Sequence, residues 1–416
     1  MVKPWDTATI GDFLDFKNGL NKGKKFFGYG TPIINYTDVY KKRGLKKADI
    51  RGRVCLTPDE IHRFDVREND VFFTRTSETP DEVGISSVLL EPVENGVFSG
   101  FVLRGRPKND MFTPEYCKYC FSTEAVREAI ITGCTYTTRA LTNGKQLSAI
   151  EIPVPSKPEQ EAIAAALSDI DTLIANLEKL IAKKKSIKQG TMQALLTSKQ
   201  RLPGFTGEWK DYALGKFLEC IRCVSYDGTA DISQFETAET IRLLRANNIK
   251  NARFVSHDVQ YVHRNKVKTS QHLCMDDIMV CMANGSRTLV GKSCYFGSPL
   301  VCDYTFGAFM SCVRKKDSDT NMYYIFNLMN SDAYWNQISI LFSGSSINNL
   351  RPADILNMRF LFPSPKEQNA ICAVIRDMEN EILDLEGKLC KYRDIMRGMM
   401  SELLTGRIRL IDKEDV

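Results

Sequence analysis

Moving the sequence along itself by 208 positions brings Pro155-Ser156 onto Pro363-Ser364 and Glu159-Gln160 onto Glu367-Gln368. The same shift brings Ala162-Ile163 onto Ala370-Ile371 and Leu195-Leu196-Thr197 onto Leu403-Leu404-Thr405. Between Pro155 and Leu202 the two copies share 20 identities in 48 ungapped positions. A repeat of half the chain length constrains the fold more than composition does, because both halves must dispose of their apolar faces in the same way. A fainter match opens each half. Trp5 and Ile10-Gly11-Asp12-Phe13 align with Trp209 and Leu214-Gly215-Lys216-Phe217 at an offset of 204. Further on, Ile33-Ile34-Asn35-Tyr36-Thr37-Asp38-Val39 resembles Leu243-Leu244-Arg245-Ala246-Asn247-Asn248-Ile249, and Asp70-Val71-Phe72-Phe73 resembles Asp277-Ile278-Met279-Val280. Each half reads as a variable globular domain followed by a well-matched helix. The divisions fall at residues 1–154, 155–203, 204–362 and 363–416.

The helices carry the sharpest local signals. Ser156-Lys157-Pro158-Glu159 and Ser364-Pro365-Lys366-Glu367 both have the S-x-x-E pattern of a capping box, and proline is tolerated in a first turn whose amides lack intrahelical partners. Ile371, Ile375, Met378, Ile382, Leu385, Leu389, Tyr392, Met396, Met399 and Leu403 then follow an unbroken 4-3 spacing, which is a coiled-coil seam. The first copy keeps that spacing through Ile163, Leu167, Ile170, Ile174, Leu177 and Ile181, and shifts phase near Lys184 to Ile187, Met192 and Leu195. Neither seam can stay in water, and the other copy is the partner at highest effective concentration. Helices of about 40 residues are roughly 60 Å long. Antiparallel pairing about a pseudo-twofold axis separates the globular domains, whereas parallel pairing crowds them. The expected fold is therefore α+β: two mixed α/β domains separated by two long antiparallel coiled-coil helices. Gly190 and Gly398 occupy equivalent helical positions at a cost of up to about 1 kcal/mol each relative to alanine. Close backbone approach at a crossing explains them, and so does contact with a partner subunit.

Within the globular domains, runs such as Val71-Phe72-Phe73 and Phe98 to Leu103 read as strands, Pro114 to Ile131 as a helix, and Ile150 to Val154 as a closing strand. The second domain offers Asn321 to Met329 as a helix and Phe360-Leu361-Phe362 as its closing strand. The formal net charge of +5 permits a polyanionic partner without requiring one, so the distribution of charge decides. Lys17, Lys22, Lys24 and Lys25 lie in a stretch without acids, and Lys41, Lys42, Arg43, Lys46, Lys47, Arg51 and Arg53 are opposed only by Asp49. In the second half Arg242, Arg245, Lys250, Arg253, Arg264, Lys266 and Lys268 are opposed only by Asp258. A solvated face would account for one such stripe; its recurrence points to nucleic acid.

Base reading needs polar side chains on loops that reach groove edges. Arg75-Thr76-Ser77 follows a strand of the first domain, and Asn284, Ser286 and Arg287 follow the matching strand of the second. Thr138 and Arg139 lie near the end of the first domain; Ser345, Ser346 and Asn348 lie near the end of the second. With Lys22, Lys24, Lys25, Asn35, Tyr36, Arg245, Asn247 and Asn248, these are the candidate DNA contacts. Glu159, Gln160, Gly190, Glu367, Gln368 and Gly398 are the candidate contacts to other subunits.

Recognisable catalytic patterns are missing from the sequence. No GxxxxGK[ST] loop, metalloprotease histidine spacing, Asn-Pro-Pro-aromatic segment or complete nuclease core occurs, and Pro80-Asp81-Glu82 lacks a later Glu-x-Lys. The pairs Cys117/Cys120 and Cys220/Cys223 fall late in one domain and early in the other, a poor arrangement for four zinc ligands. No metal site is expected. The 13 cysteines are scattered, no apolar run reaches the roughly 18 residues of a membrane span, and no signal peptide opens the chain, so a cytoplasmic protein without a membrane partner is expected.

Variable domain, helix opening on Glu159-Gln160, second variable domain and helix opening on Glu367-Gln368, each helix closing on Leu-Leu-Thr, resemble the specificity subunits of type I restriction–modification enzymes. The one departure is Lys366 before Glu367, where the first copy has Pro158; Pro365 has moved one place and the cap survives. The resemblance implies a subunit without catalysis and without a cofactor of its own, bound to double-stranded DNA. It implies two modification subunits that use S-adenosylmethionine to methylate adenine, and restriction subunits that use ATP and Mg. It further implies a split, asymmetric target, one half read per domain, with half-site centres on the order of 10 to 15 base pairs apart from the helix length. A coiled-coil DNA-binding scaffold or regulator without a modification partner is the competing reading. An enzyme with an unrecognised site is a second.

Overall fold

The computed structural model describes residues 5–343 and 348–411. The chain divides into two compact units, residues 1–179 with 387–416 and residues 180–386. Each contains one globular domain and parts of both long helices, Lys157–Leu196 and Pro365–Leu403.

In the first unit Asp6–Thr9 pairs antiparallel with Glu151–Val154 and closes the domain. A five-stranded sheet runs in the order Leu14–Asn18, Val102–Pro107, Val71–Thr74, Ser86–Leu89, Gly44–Leu45. A second sheet orders Gly52–Val54, Phe27–Ile34 and Val97–Phe98, the last pair parallel. The second unit repeats this plan. Lys210–Ala213 pairs with Arg359–Phe362, a four-stranded sheet runs Leu218–Arg222, Met310–Lys315, Ile278–Cys281, Ser293–Tyr295, and Thr240–Leu244 lies parallel to Tyr304–Phe306. The duplication faintly visible in sequence therefore extends through both domains.

Val71–Thr74 and Ile278–Cys281 are buried along their whole length. Alternate residues serve different cores: Val71 and Phe73 pack with Phe13, Tyr116 and Phe121, while Phe72 faces Ile34, Leu45 and Phe98. Ile278 and Val280 likewise oppose Met279 and Cys281. A strand covered on both faces reads as an unbroken apolar run, which is why these segments stood out.

Two local expectations need correction. Phe98 to Leu103 is two strands, Val97–Phe98 and Val102–Pro107, separated by a turn in which the Gly100 N–H donates to the Leu20 carbonyl at 2.7 Å. Pro114 to Ile131 is a short helix Pro114–Cys117, a 3-10 turn Cys120–Ser122 and a helix Glu124–Gly133. Thr123 breaks the run by capping the last of these, its hydroxyl accepting from the Val126 N–H at 3.3 Å.

The long helices pair antiparallel within each unit. In the first, Glu178 meets Arg393 at 2.6 Å; nearer its own N-terminus, Glu159 meets Arg409 beyond the end of the other helix. In the second, Lys184 meets Glu381 at 2.6 Å and Lys188 meets Glu379, so rising numbers on one helix meet falling numbers on the other. Every seam position of the second helix is buried or half-buried. The first helix shifts phase only in part: Met192 and Leu195, expected on the shifted seam, are each 3% exposed. Ile187 is 43% exposed, and the 4-3 spacing continues through half-buried Lys184 and Lys188 to Leu195. Their methylene stems lie along the seam while their ammonium groups reach carboxylates on the facing helix. Gly190 and Gly398 are also corrected as crossing points. A Cβ built on either would meet nothing within 4 Å, so close backbone approach does not account for them. Among the described residues no helix is long and apolar enough to cross a membrane, and no cluster of three or more His, Cys, Asp or Glu could hold a metal ion.

Candidate nucleic-acid interface

Each unit gathers the same loops at one end of its central strand. After Val71–Thr74 the Arg75 N–H donates to the Phe101 carbonyl at 2.9 Å, and the Arg75 carbonyl accepts from the Thr142 N–H at 3.0 Å. Thr76 and Ser77 pair with Leu141 and Ala140, the base of the hairpin that carries Thr138 and Arg139. The Leu20 N–H donates to the Phe98 carbonyl at 2.9 Å, which delivers the segment leading into Lys22, Lys24 and Lys25. In the second unit the Met282 N–H donates to the Phe309 carbonyl at 2.7 Å, the Leu350 N–H donates to the Met282 carbonyl at 2.7 Å, and Val224 N–H donates to the Phe306 carbonyl at 3.1 Å. These are the counterparts of the first set. Asn348 Nδ2 reaches the Gly285 carbonyl at 3.4 Å and so joins the loop of Asn284, Ser286 and Arg287. Ser345 and Ser346 lie outside the described residues.

Within these clusters Lys24, Lys25, Thr138, Arg139, Ser286 and Arg287 are exposed. Lys22 is half-buried, ion-paired with Glu60 and placed 4.9 Å over the Phe26 ring. Arg75 donates to the Gly100 carbonyl at 3.3 Å, Asn284 accepts from the Ser286 N–H at 2.9 Å, and Arg287 lies 5.1 Å over Phe342. The carboxylate of Glu82 accepts from Ser77 at 2.5 Å, Tyr40 at 3.1 Å and Tyr36 at 3.4 Å. The Ser77 bond, followed by that from Tyr40, holds the Glu82 pKa below its ordinary value, while desolvation raises that of Tyr36.

The segment after the parallel strand behaves differently from expectation. Asn248 is fully buried; its Nδ2 donates to the Val255 and His257 carbonyls at 3.0 and 2.9 Å and its Oδ1 accepts from the Arg245 N–H at 2.9 Å. It is a turn-holding residue and is withdrawn as a DNA contact. Its counterpart Asp38 accepts from the Asn35 N–H in the same way, at 2.9 Å, and Asn35 itself donates to the Ile33 carbonyl at 3.3 Å. Arg245 and Asn247 both bind Asp258.

The expected subunit contacts at the helix starts are corrected too. Glu159, Gln160 and Glu367 are only 2%, 1% and 2% exposed. Gln160 accepts from the Thr113 N–H at 2.8 Å and donates to the Met111 and Pro155 carbonyls. Gln368 donates to the Pro363 carbonyl at 3.1 Å. Glu159 accepts from the Trp5 indole at 3.0 Å and from Arg409, whose guanidinium lies 5.0 Å over the Trp5 ring. Glu367 takes Arg201 bidentately at 2.6 and 2.8 Å, with Arg201 5.6 Å over Trp209. Each helix start thus clasps the arginine that follows the other helix, and Arg201 and Arg409 are themselves matched by the 208-residue repeat. These residues secure the fold within each unit because buried carboxylates demand an internal partner.

Burial of Glu159 opposes its ionisation, but hydrogen bonds from Arg409 and the Ser156 N–H outweigh this and hold its pKa below the ordinary value. A lowered folded-state pKa contributes stability that is complete above the unfolded value, near 4.5, and is lost as pH falls through the folded value. Wild-type protein is therefore expected to lose more thermal stability than Glu159→Gln between about pH 6 and pH 3. Parallel pH dependences of Tm in the two proteins would contradict this.

A second matched pair escaped the sequence reading. Asp70 binds Arg106 at 2.8 Å through both oxygens, and Asp277 binds Arg314 at 2.8 and 2.6 Å. The aspartates were visible as a repeat at an offset of 207; the arginines are matched at an offset of 208, a signal that was available.

Residues 2–189 match the family described as the type I restriction modification DNA specificity domain. That first segment of the chain is a type I specificity domain. The StySPI specificity subunit of Salmonella potsdam is 29% identical over 201 residues, which are 48% of this chain and 42% of that relative. The EcoKI specificity subunit of Escherichia coli (strain K12) is 30% identical over 188 residues, which are 45% of this chain and 40% of that relative. The chain's alignments thus span about two fifths of those relatives' lengths. The fold is similar along nearly the whole chain to the crystal structure of a type I restriction–modification S subunit from M. genitalium, with a TM-score of 0.55, 15% identity and 96% of each chain covered.

Proposed function

We propose that this chain recognises DNA sequence for a type I restriction–modification complex, each loop cluster reading one half of a split, asymmetric target. The observation that carries the reading is the recurrence of one loop architecture in two units with different exposed residues: Lys24, Lys25, Thr138 and Arg139 in one, Ser286 and Arg287 in the other. Equivalent frameworks with unlike tips are what two readers of unlike half-sites require, since phosphate contacts position and base contacts specify. The family match supports it. In this reading the chain catalyses nothing. Two modification subunits supply adenine methylation from S-adenosylmethionine, restriction subunits supply ATP- and Mg-dependent cleavage, and the assembly works on duplex DNA in the cytoplasm.

Methylation profiling of adenines in cells with and without this gene is expected to reveal a two-part motif that disappears with the gene. Adding one heptad to both long helices is expected to widen the gap between the halves and leave each half unchanged. An identical methylation pattern in the presence and absence of the gene would reject the function. A longer helix pair with an unchanged gap would reject the spacing role.

A further inference from the structure

The same shift of 208 positions that reveals the helices also lays Phe98-Ser99-Gly100-Phe101 over Phe306-Gly307-Ala308-Phe309. The first phenylalanine of each run is fully buried, yet Phe101 and Phe309 are 54% and 67% exposed. We infer that Phe101 and Phe309 are apolar base contacts, one in each unit, made with the bases of duplex DNA. The inference deepens the proposed function and rests on it.

Both side chains project from turns held tightly to the candidate reading loops. The Phe101 carbonyl accepts from the Arg75 N–H at 2.9 Å, and the Phe309 carbonyl from the Met282 N–H at 2.7 Å. The first turn is close-packed: a Cβ on Gly100 would lie 2.0 Å from the Asn21 Oδ1, and one on Gly19 would lie 2.0 Å from the Ser99 carbonyl oxygen. In the second, Phe309 itself has φ +66°, the left-handed region that a bulky aromatic residue rarely adopts. An exposed ring on a strained residue does nothing for the fold, and strain of this kind gathers where a side chain is aimed at a ligand.

The surroundings select the ligand. The Arg75 guanidinium reaches the Gly100 carbonyl beside Phe101, and Lys22, Lys24 and Lys25 follow the strand end that the same turn holds. In the second unit, exposed Arg287 lies on the loop that begins at Met282, whose N–H donates to the Phe309 carbonyl, and exposed Arg222 precedes Val224, whose N–H donates to the Phe306 carbonyl. An apolar ring on a turn bonded to loops that carry cations complements a polyanion that also offers apolar faces, as base pairs and thymine methyl groups do.

The test uses the full-length chain purified with its associated subunits and a duplex pool with randomised positions. Wild type is expected to select a two-part sequence. On that duplex Phe101→Ala and Phe309→Ala are each expected to weaken binding by about tenfold, the order of one base contact of this kind, and each to relax selection in one half only. Phe309→Gly separates function from folding, because it should raise Tm by relieving the backbone while weakening DNA binding as Phe309→Ala does. A wild-type protein that selects a sequence while both alanine variants bind and select identically overturns the inference and leaves the DNA-reading function standing. So does loss of an associated subunit with unchanged DNA affinity. A wild-type protein that selects no duplex overturns both.

Discussion

Arg201→Ala is expected to destabilise the unit of residues 180–386 by about 3–5 kcal/mol, a fall in its Tm on the order of 10 °C. The carboxylate of Glu367 is 2% exposed and is held by both arms of the Arg201 fork at 2.6 and 2.8 Å. Arg201 also donates to the Gly207 carbonyl at 3.0 Å and covers the Trp209 ring. Truncating the arginine leaves a buried carboxyl group without the two donors that the guanidinium supplied. That penalty exceeds the net worth of the intact pair. Glu367→Gln removes the charge together with the need for a counter-charge and should cost less than Arg201→Ala. The double variant should recover part of the single loss in a mutant cycle. Thermal unfolding of the full-length protein reads all three. If Arg201→Ala melts within about 1 kcal/mol of wild type, the clasp is not what secures the end of the first helix.

Asp277→Ala should be of similar size, about 3–5 kcal/mol, for a different reason. Asp277 is buried beside the central strand Ile278–Cys281 and serves two masters: the Arg314 guanidinium at 2.8 and 2.6 Å, and the Cys274 N–H at 2.7 Å. Its loss frees the turn that enters the strand and leaves the half-buried guanidinium, among the described residues, with the Ser270 and His272 carbonyls. Asp277→Asn retains an acceptor for Cys274 and is expected to fall between wild type and Asp277→Ala. The strand bearing Arg314 begins directly after Phe309, so the same substitution should also loosen the second loop cluster and raise the Kd for duplex DNA. Unchanged denaturant midpoints for Asp277→Ala would refute the assignment.

Much of the architecture was legible because it is written as periodicity. The 208-residue repeat, the 4-3 seam of the second helix and the all-apolar strands each follow from which faces are buried, and burial leaves a pattern in one dimension. Reading failed where a residue's class and its role diverge. Lys184 and Lys188 count as polar, so the seam seemed to shift toward Ile187; their stems nevertheless occupy the seam and their charges find Glu381 and Glu379. Asn248 looked like a reader of bases because asparagine often is one, yet its amide is spent on the turn that holds it. Glu159 and Glu367 were read as contacts to other subunits because the arginines that bind them lie 250 and 166 positions away.

The sequence alone determined that two similar domains alternate with two mutually complementary helices, that their apolar seams must be covered, and that basic, polar loops recur in both halves. Those properties depend on spacing within a few turns of chain. Only the tertiary structure decided which polar groups are free to meet a ligand and which are consumed by the fold. A hydrogen bond is settled by distances of about 3 Å between atoms that the chain brings together from far apart, and no local pattern records them.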